Sequence, residues 1–109
     1  MKRGEVWTAA GGQAYGGKPR PVVILQDDRF VATDSVTVCP LTSDTTSAAF
    51  FRVPIEPSAK NGLRQPSHVM ADKVASIPKT RMRALVGQLD VPDILALNRA
   101  VIVFLGLAG

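Results

Sequence analysis

Turn-forming residues punctuate the first three-quarters of the chain at short intervals, and this spacing limits what the chain can fold into. Glycine, proline, asparagine and aspartate recur every few residues, which leaves room for short strands but for no long helix. The apolar or alternating segments between these residues predict β-strands. The predicted strands are residues 4–8, 21–26, 36–41, 50–55, 68–75 and 85–89.

The last fifth of the chain has a helical pattern instead. A helix start is indicated at Asp90 and a stop at Gly106 or Gly109. The apolar residues at helical spacing, expected to face the core, are Ile94, Leu97, Val101 and Phe104 or Leu105. A second apolar stripe consists of Leu95, Ile102 and Val103. This stripe predicts either a subunit interface or a helix lying in a groove of its own barrel.

Length, charge and cysteine usage narrow the class of protein. A chain of 109 residues with strands followed by one helix predicts a single domain, residues 1–109, built as a compact, partly open barrel. A formal charge of +4 favours a polyanionic partner. Cys39 is the only cysteine, so it forms no internal disulfide, and its apolar surroundings predict a small buried hydrophobe. The N-terminal segment lacks the apolar core of a signal peptide, and residues 101–109 are too few to span a bilayer, so we expect a cytoplasmic protein with no membrane partner.

One basic side chain, Arg20, is held stiffly at the entrance of a predicted strand. It lies between Pro19 and Pro21, and each proline restricts backbone rotation on its side. A guanidinium offers a planar fork of donors that matches phosphate oxygens, and Lys18 adds a second cation two residues upstream. The pattern predicts a preorganised anion site, although an arginine that caps a strand end by an ion pair would have the same sequence.

Polar residues at two other strand ends are further candidates. Thr42 and Ser43 open a hydroxyl-rich loop, where a hydroxyl can donate to a phosphate oxygen or simply satisfy a turn. On a strand that begins at His68, His68 and Asp72 would share one face and could serve acid–base chemistry, or His68 could be structural. The sequence shows no metal-ligand spacing, no P-loop and no dinucleotide fingerprint, so we expect neither a metal ion nor a cofactor.

Several segments together resemble the MazF/PemK/Kid toxins. The resemblance covers residues 3–89 in order and is followed by a terminal helix, as in that family. The matching segments are RGEVW, KPRPVVIL, CPLTS, NGLRQPSHVMADKVASIPKTRM and VGQL. It implies a mainly β fold with a C-terminal helix, a small SH3-like barrel of the MazF/CcdB-like toxin type. It also implies a homodimer in a type II toxin–antitoxin pair.

The same resemblance implies an activity and its residues. Family members cleave single-stranded RNA at a short specific sequence without a metal, leaving a 2′,3′-cyclic phosphate and a 5′-hydroxyl. Arg20 and Thr42 match family catalytic positions, and the substrate is expected to be mRNA, with tRNA or rRNA also open. Lys18, Ser43, His68 and Asp72 are the expected substrate-binding residues. A cognate antitoxin is the expected protein partner, and the loops 10–19 and 43–49 are expected to read the bases. Tyr15 and Phe50 or Phe51 are candidate stacking residues, with the phenylalanines also open as core or interface residues.

The family pattern is not matched everywhere. Some members place an arginine two residues before the aspartate that corresponds to Asp72, where this chain has Met70. The first loop also lacks the histidine or glutamate that some members carry there, so the residue that takes the first proton is not identified. Two alternatives therefore stay open, a CcdB-like gyrase-binding toxin without nuclease activity and a non-catalytic binding module.

Overall fold

A computed structural model describes residues 1–11 and 18–108 of the chain. The expected stacking residue Tyr15, most of the loop 10–19 and the alternative helix stop Gly109 lie outside the described residues. Within the described part, no helix is long and apolar enough to cross a bilayer.

Seven strands and one helix make up the described fold. In chain order the strands are β1 (Glu5–Ala9), β2 (Arg20–Ile24), β3 (Ser35–Thr42), β4 (Arg52–Ile55), β5 (Ser67–Met70), β6 (Ala75–Pro78) and β7 (Met82–Gln88), and the helix is α1 (Val91–Phe104). All pairings between the strands are antiparallel, in the order β4-β5-β3-β2-β1-β7, with β6 also on β3. The mainly β fold with a C-terminal helix is therefore confirmed.

The central strand β3 divides the sheet. One of its edges pairs with β2, while the other edge is shared between two strands. The first half of β3, residues 35–38, pairs with β6, and its last two residues, Leu41 and Thr42, pair with β5. The sheet therefore bends around β3 and curls in the manner of a small barrel, but the described strands β4 and β7 at its two ends do not pair, so it stays open.

One predicted strand is interrupted. Residues 68–75 were expected to form a continuous strand, but β5 ends at Met70 and a 3-10 turn covers Ala71–Lys73 before β6 begins at Ala75. The prediction that His68 and Asp72 share one strand face is therefore wrong, because Asp72 lies in the turn. The turn lets one chain segment pair first with the end of β3 and then with its beginning.

Alternating side chains form an apolar core on each face of the sheet. The larger core packs against α1 and includes Val23, Cys39 and Leu41. The smaller core on the other face includes Val22, Ile24 and Val38. The continuous apolar run of β2 is thus buried on both faces. Cys39 is a buried small hydrophobe, as predicted, and its desolvation raises the pKa of its thiol to about 12.

Helix α1 buries one stripe and leaves another exposed. Leu97, Ala100 and Val101 are buried, and Ile94 packs against the same core. The prediction fails in the last turn, where Phe104 is 45% exposed and Leu105 is 51% exposed, although the Phe104 ring lies 5.3 Å from that of Phe51. The predicted second stripe is exposed along the helix: Leu95, Ile102 and Val103.

The helix ends in a glycine-dependent cap. Gly106 has a φ of 74°. The amide of Gly106 donates to the Val103 carbonyl and that of Leu107 donates to the Ile102 carbonyl. This pair of bonds is a Schellman motif, which needs a left-handed residue at the glycine position.

The loop between β4 and β5 is organised by a buried asparagine. Asn61 is 2% exposed, its Oδ1 accepts from the amides of Ser58 and Leu63 at 3.0 Å, and its Nδ2 donates to the Glu56 carbonyl at 2.8 Å. The backbone of Asn61 lies against β7 so closely that a Cβ on Gly87 would come within 2.4 Å of its carbonyl carbon and oxygen. Because glycine has no Cβ, position 87 allows this loop to lie directly against β7.

The variant Gly87→Ala tests this close approach. Because the obstacle is backbone and cannot rotate away, we expect the free energy of unfolding to fall by about 3 kcal/mol. The matched control is Gly106→Ala, where nothing lies within 4 Å of the added Cβ, so only the left-handed backbone conformation costs about 1 kcal/mol. Urea unfolding measures both variants, and an equal loss in the two would contradict the steric role of Gly87.

Candidate active site

Strand register places the two expected catalytic residues on adjacent strands. Arg20 begins β2 and Thr42 ends β3. Val22 pairs with Pro40, so the two residues each lie two positions beyond that pair, on the same face of the sheet. Thr42 pairs in turn with His68 of β5. The folded sheet therefore places three residues in a row across the neighbouring strands β2, β3 and β5: Arg20, Thr42 and His68.

Two residues of this row, Arg20 and Thr42, border a cavity of about 550 Å³ on the sheet face opposite α1. The floor includes Val22, Val38 and Ile77 of the smaller core. Among the residues that the structure describes, the basic side chains that line it are Arg20, Arg52, Arg64, Lys73 and Arg81. The acidic lining residue is Asp44. The cavity is thus strongly cationic, and its apolar floor excludes part of the water that would screen those charges.

The other expected site residues are distributed unevenly. Ser43 lines the cavity beside Thr42. Lys18 is exposed, two residues before β2, and is not part of the lining. His68 and Asp72 are not part of the lining either, and the basic stretch of the sequence is divided, since Lys73 and Arg81 face the cavity whereas Lys79 and Arg83 do not.

The Thr42 hydroxyl has one settled hydrogen bond and one unused function. Its Oγ1 accepts from the Asp44 amide at 3.1 Å, which is the turn-forming role that the sequence left open. A hydroxyl that accepts still carries its own hydrogen, so Thr42 can also donate to a group in the cavity. Asp44 is held by Thr46, whose side-chain and backbone hydrogen bonds lower the pKa of that carboxyl.

His68 is buried next to Thr42 and does not line the cavity. It is 8% exposed, and its Nδ1 is buried with no hydrogen-bond partner among the described residues. Buried polar atoms rarely lack a hydrogen-bond partner, so this Nδ1 is an unusual feature of the imidazole that lies next to Thr42. In the described part of the chain, no three acidic, histidine or cysteine side chains gather closely enough to hold a metal ion.

Sequence reasoning missed Arg52. It begins β4 and lines the cavity, and its guanidinium forms a bidentate ion pair with Asp72, with Nε 2.9 Å from Oδ1 and Nη2 3.0 Å from Oδ2. The hydrogen bond from Arg52 lowers the pKa of Asp72, so the carboxylate is ionised at neutral pH. No local signal joins the two residues, which are 20 positions apart. The one clue in the sequence is a charged residue that opens an otherwise apolar strand, RVPI.

A family model for the PemK-like, MazF-like toxins of type II toxin–antitoxin systems matches residues 2–105. The chain belongs to this family. It is 50% identical, over the full length of both chains, to a probable endoribonuclease MazF of Mycolicibacterium smegmatis. Among solved structures it resembles the Mycobacterium tuberculosis toxin MazF-mt6, with a TM-score of 0.79 and 30% identity over 94% of this chain and 96% of that one.

A second solved structure supports the fold of this PemK/MazF chain. It is an endoribonuclease in complex with its cognate antitoxin from a mycobacterial species, with a TM-score of 0.82 and 23% identity over 98% of this chain and 96% of that one. At that identity the likeness concerns the fold. Met70, which stands where some members of the PemK/MazF family carry an arginine, is buried and pairs with Arg52 across β4 and β5.

The ion pair between Arg52 and Asp72 makes stability depend on pH. A carboxyl pKa that is lower in the folded than in the unfolded chain stabilises the fold above about pH 4, and the contribution is lost as the pH falls through the folded value. We therefore expect Asp72→Asn to be about 1–2 kcal/mol less stable than the parent at pH 7. The gap should narrow steadily below pH 4.

Urea unfolding at pH 7 and pH 3 measures this dependence. The matched control is Asp27→Asn, which breaks the exposed pair of Asp27 with Arg29 and should change stability less. A loss for Asp72→Asn that is the same at both pH values would show that the ionised carboxylate is not what stabilises the fold.

Proposed function

We propose that this protein is a toxin endoribonuclease that cleaves single-stranded RNA at a short specific sequence without a metal ion. The products would be a 2′,3′-cyclic phosphate and a 5′-hydroxyl. The observation that carries the proposal is the row of Arg20 and Thr42 at the wall of a cationic cavity. A polyanion can enter such a cavity, and a guanidinium and a hydroxyl donor there suit a phosphate.

The chemistry assigns a role to each group. The 2′-oxygen attacks the phosphorus after losing its proton, the bond from phosphorus to the 5′-oxygen breaks, and a proton reaches that oxygen. An arginine side chain is a very weak acid, so Arg20 is assigned to stabilising the negative charge that builds on the phosphorane rather than to moving protons. Thr42 donates to a non-bridging oxygen, and Ser43 contacts the substrate beside it. The exposed Lys18 attracts the RNA, and His68, which pairs with Thr42 on the neighbouring strand, is the remaining proposed substrate-binding residue.

The same proposal includes the protein's partners. The substrate is mRNA, with tRNA and rRNA as further candidates, and a cognate antitoxin neutralises the toxin in the cytoplasm. A homodimer would bury the exposed apolar stripe of α1, formed by Leu95, Ile102 and Val103. Burial of such a stripe is a strong driving force for association.

The first test is cleavage of mixed-sequence single-stranded RNA in EDTA, with the ends of the fragments mapped. We expect cuts at one short sequence that leave cyclic phosphates. Arg20→Ala should slow cleavage by about 10³-fold, and Thr42→Val, which removes the hydroxyl but keeps the shape, by about 10²-fold. Thr42→Ser should retain most of the activity.

The matched control for Arg20→Ala is Arg83→Ala, since Arg83 is exposed on β7 and does not line the cavity. It should cleave like the parent. Undiminished cleavage by a folded Arg20→Ala variant would remove Arg20 from the mechanism. A parent protein that leaves RNA intact but inhibits DNA gyrase would overturn the nuclease in favour of a gyrase-binding toxin.

A further inference from the structure

We propose that Arg52 is a further RNA-contacting residue, which binds a phosphate next to the one that is cleaved, and that Asp72 is the positioning residue that aims it. This inference rests on the proposed function. It changes the role expected for Asp72, from direct contact with the substrate to action through Arg52.

Arg52 lines the same cavity as Thr42. It pairs with Met70, and Thr42 pairs with His68, so Arg52 lies two strands and two residues away from Thr42 on the same face of the sheet. With strands about 4.8 Å apart and about 3.3 Å per residue, the two Cα atoms are separated by roughly 12 Å. Both residues line the cavity. An RNA strand held at Thr42 therefore passes Arg52 with a neighbouring phosphate.

The ion pair with Asp72 leaves some of the hydrogen-bond donors of Arg52 unused by that pair. A guanidinium has five N–H donors, and the pair with Asp72 uses one from Nε and one from Nη2. Nη1 has no hydrogen-bond partner among the described residues. The Arg52 side chain is 19% exposed, which is enough for a ligand in the cavity to reach it. A phosphate oxygen is the acceptor that this unused side of the guanidinium suits best.

The turn that carries Asp72 is hydrogen-bonded to the start of the segment that carries Arg52. The Ala71 amide donates to the Phe51 carbonyl at 2.9 Å, so the turn that carries Asp72 is bonded to the residue just before Arg52. Both carboxylate oxygens are occupied by the guanidinium. A carboxylate used in this way repels an incoming phosphate less, and it holds a long flexible side chain in one rotamer before RNA binds. Asp72 thus acts on RNA by orienting Arg52.

Binding is measured first, with mixed-sequence single-stranded DNA, which presents phosphates but lacks the 2′-hydroxyl and cannot be cleaved by this route. Arg52→Ala should weaken binding about tenfold and lower the slope of log K against log salt by about 0.7. Arg52→Lys should restore the salt slope, because the charge returns, but not the full affinity, because the fork is lost. The matched control Arg29→Ala removes the arginine of the exposed pair with Asp27, outside the cavity, and should bind like the parent.

A double-mutant cycle on RNA cleavage separates positioning from direct action. Asp72→Asn should lower kcat/KM about tenfold in the parent, mainly by raising KM, yet change it by about twofold or less in the Arg52→Ala background. An equal loss in both backgrounds would show that Asp72 acts on the RNA itself and overturn the positioning role. Melting temperatures of all variants identify any loss that comes from unfolding alone.

The two proposals fail in different ways. If Arg52→Ala binds single-stranded DNA with the affinity and salt slope of the parent, the phosphate contact is wrong, even though the parent still cleaves RNA. If the parent cleaves no RNA, the nuclease is wrong, and the salt slopes still decide whether Arg52 contacts a nucleic-acid backbone. An ion pair that is only structural would lower the melting temperature and leave the salt slope unchanged.

Discussion

The pairing of β3 with three other strands is the constraint on which the rest of the structure depends. Because one edge of β3 is shared between β5 and β6, the sheet must bend around this strand. The bend gives the sheet two different faces, one covered by α1 and the other open at its end as a cavity. Side chains alternate along each strand, so the same register that buries Cys39 on the helix side directs Thr42 toward the open side.

The charges that line the cavity favour the binding of a polyanion. Within the described part of the chain, five basic side chains line one cavity and repel one another, and a polyanion relieves this repulsion when it binds. Asp72 neutralises one of these cations from outside the lining and fixes its direction at the same time. The apolar floor beneath them keeps the local dielectric low, which strengthens each contact with phosphate. A stable fold and a cationic site are therefore compatible because the charges lie at strand starts and in the loops and turns between strands rather than in the core.

The sequence predicted the type of fold well and the site in part. Turn residues at short intervals set the approximate limits of most strands, since a strand cannot continue through them, but six strands were predicted and seven are present. The break at Ala71–Lys73 was missed because its residues, ADK, contain no glycine or proline. Exposure of the last helical turn was also missed, because a periodic apolar pattern records which side chains can be buried but not where the sheet beneath the helix ends.

Among the site residues, the features that depend on nearby sequence were predicted, and those that depend on residues far apart in the chain were not. Arg20 between its prolines and Thr42 at a strand end are local features, so the sequence alone determined that a fixed cation and a hydroxyl stand at the ends of strands. Only the tertiary structure decided that these ends lie side by side, that His68 is buried next to Thr42, and that Arg52 joins the cavity and pairs with Asp72. The physical reason is that strand register and ion pairs connect residues far apart in sequence. Their partners are set by how the whole sheet packs and not by the residues on either side.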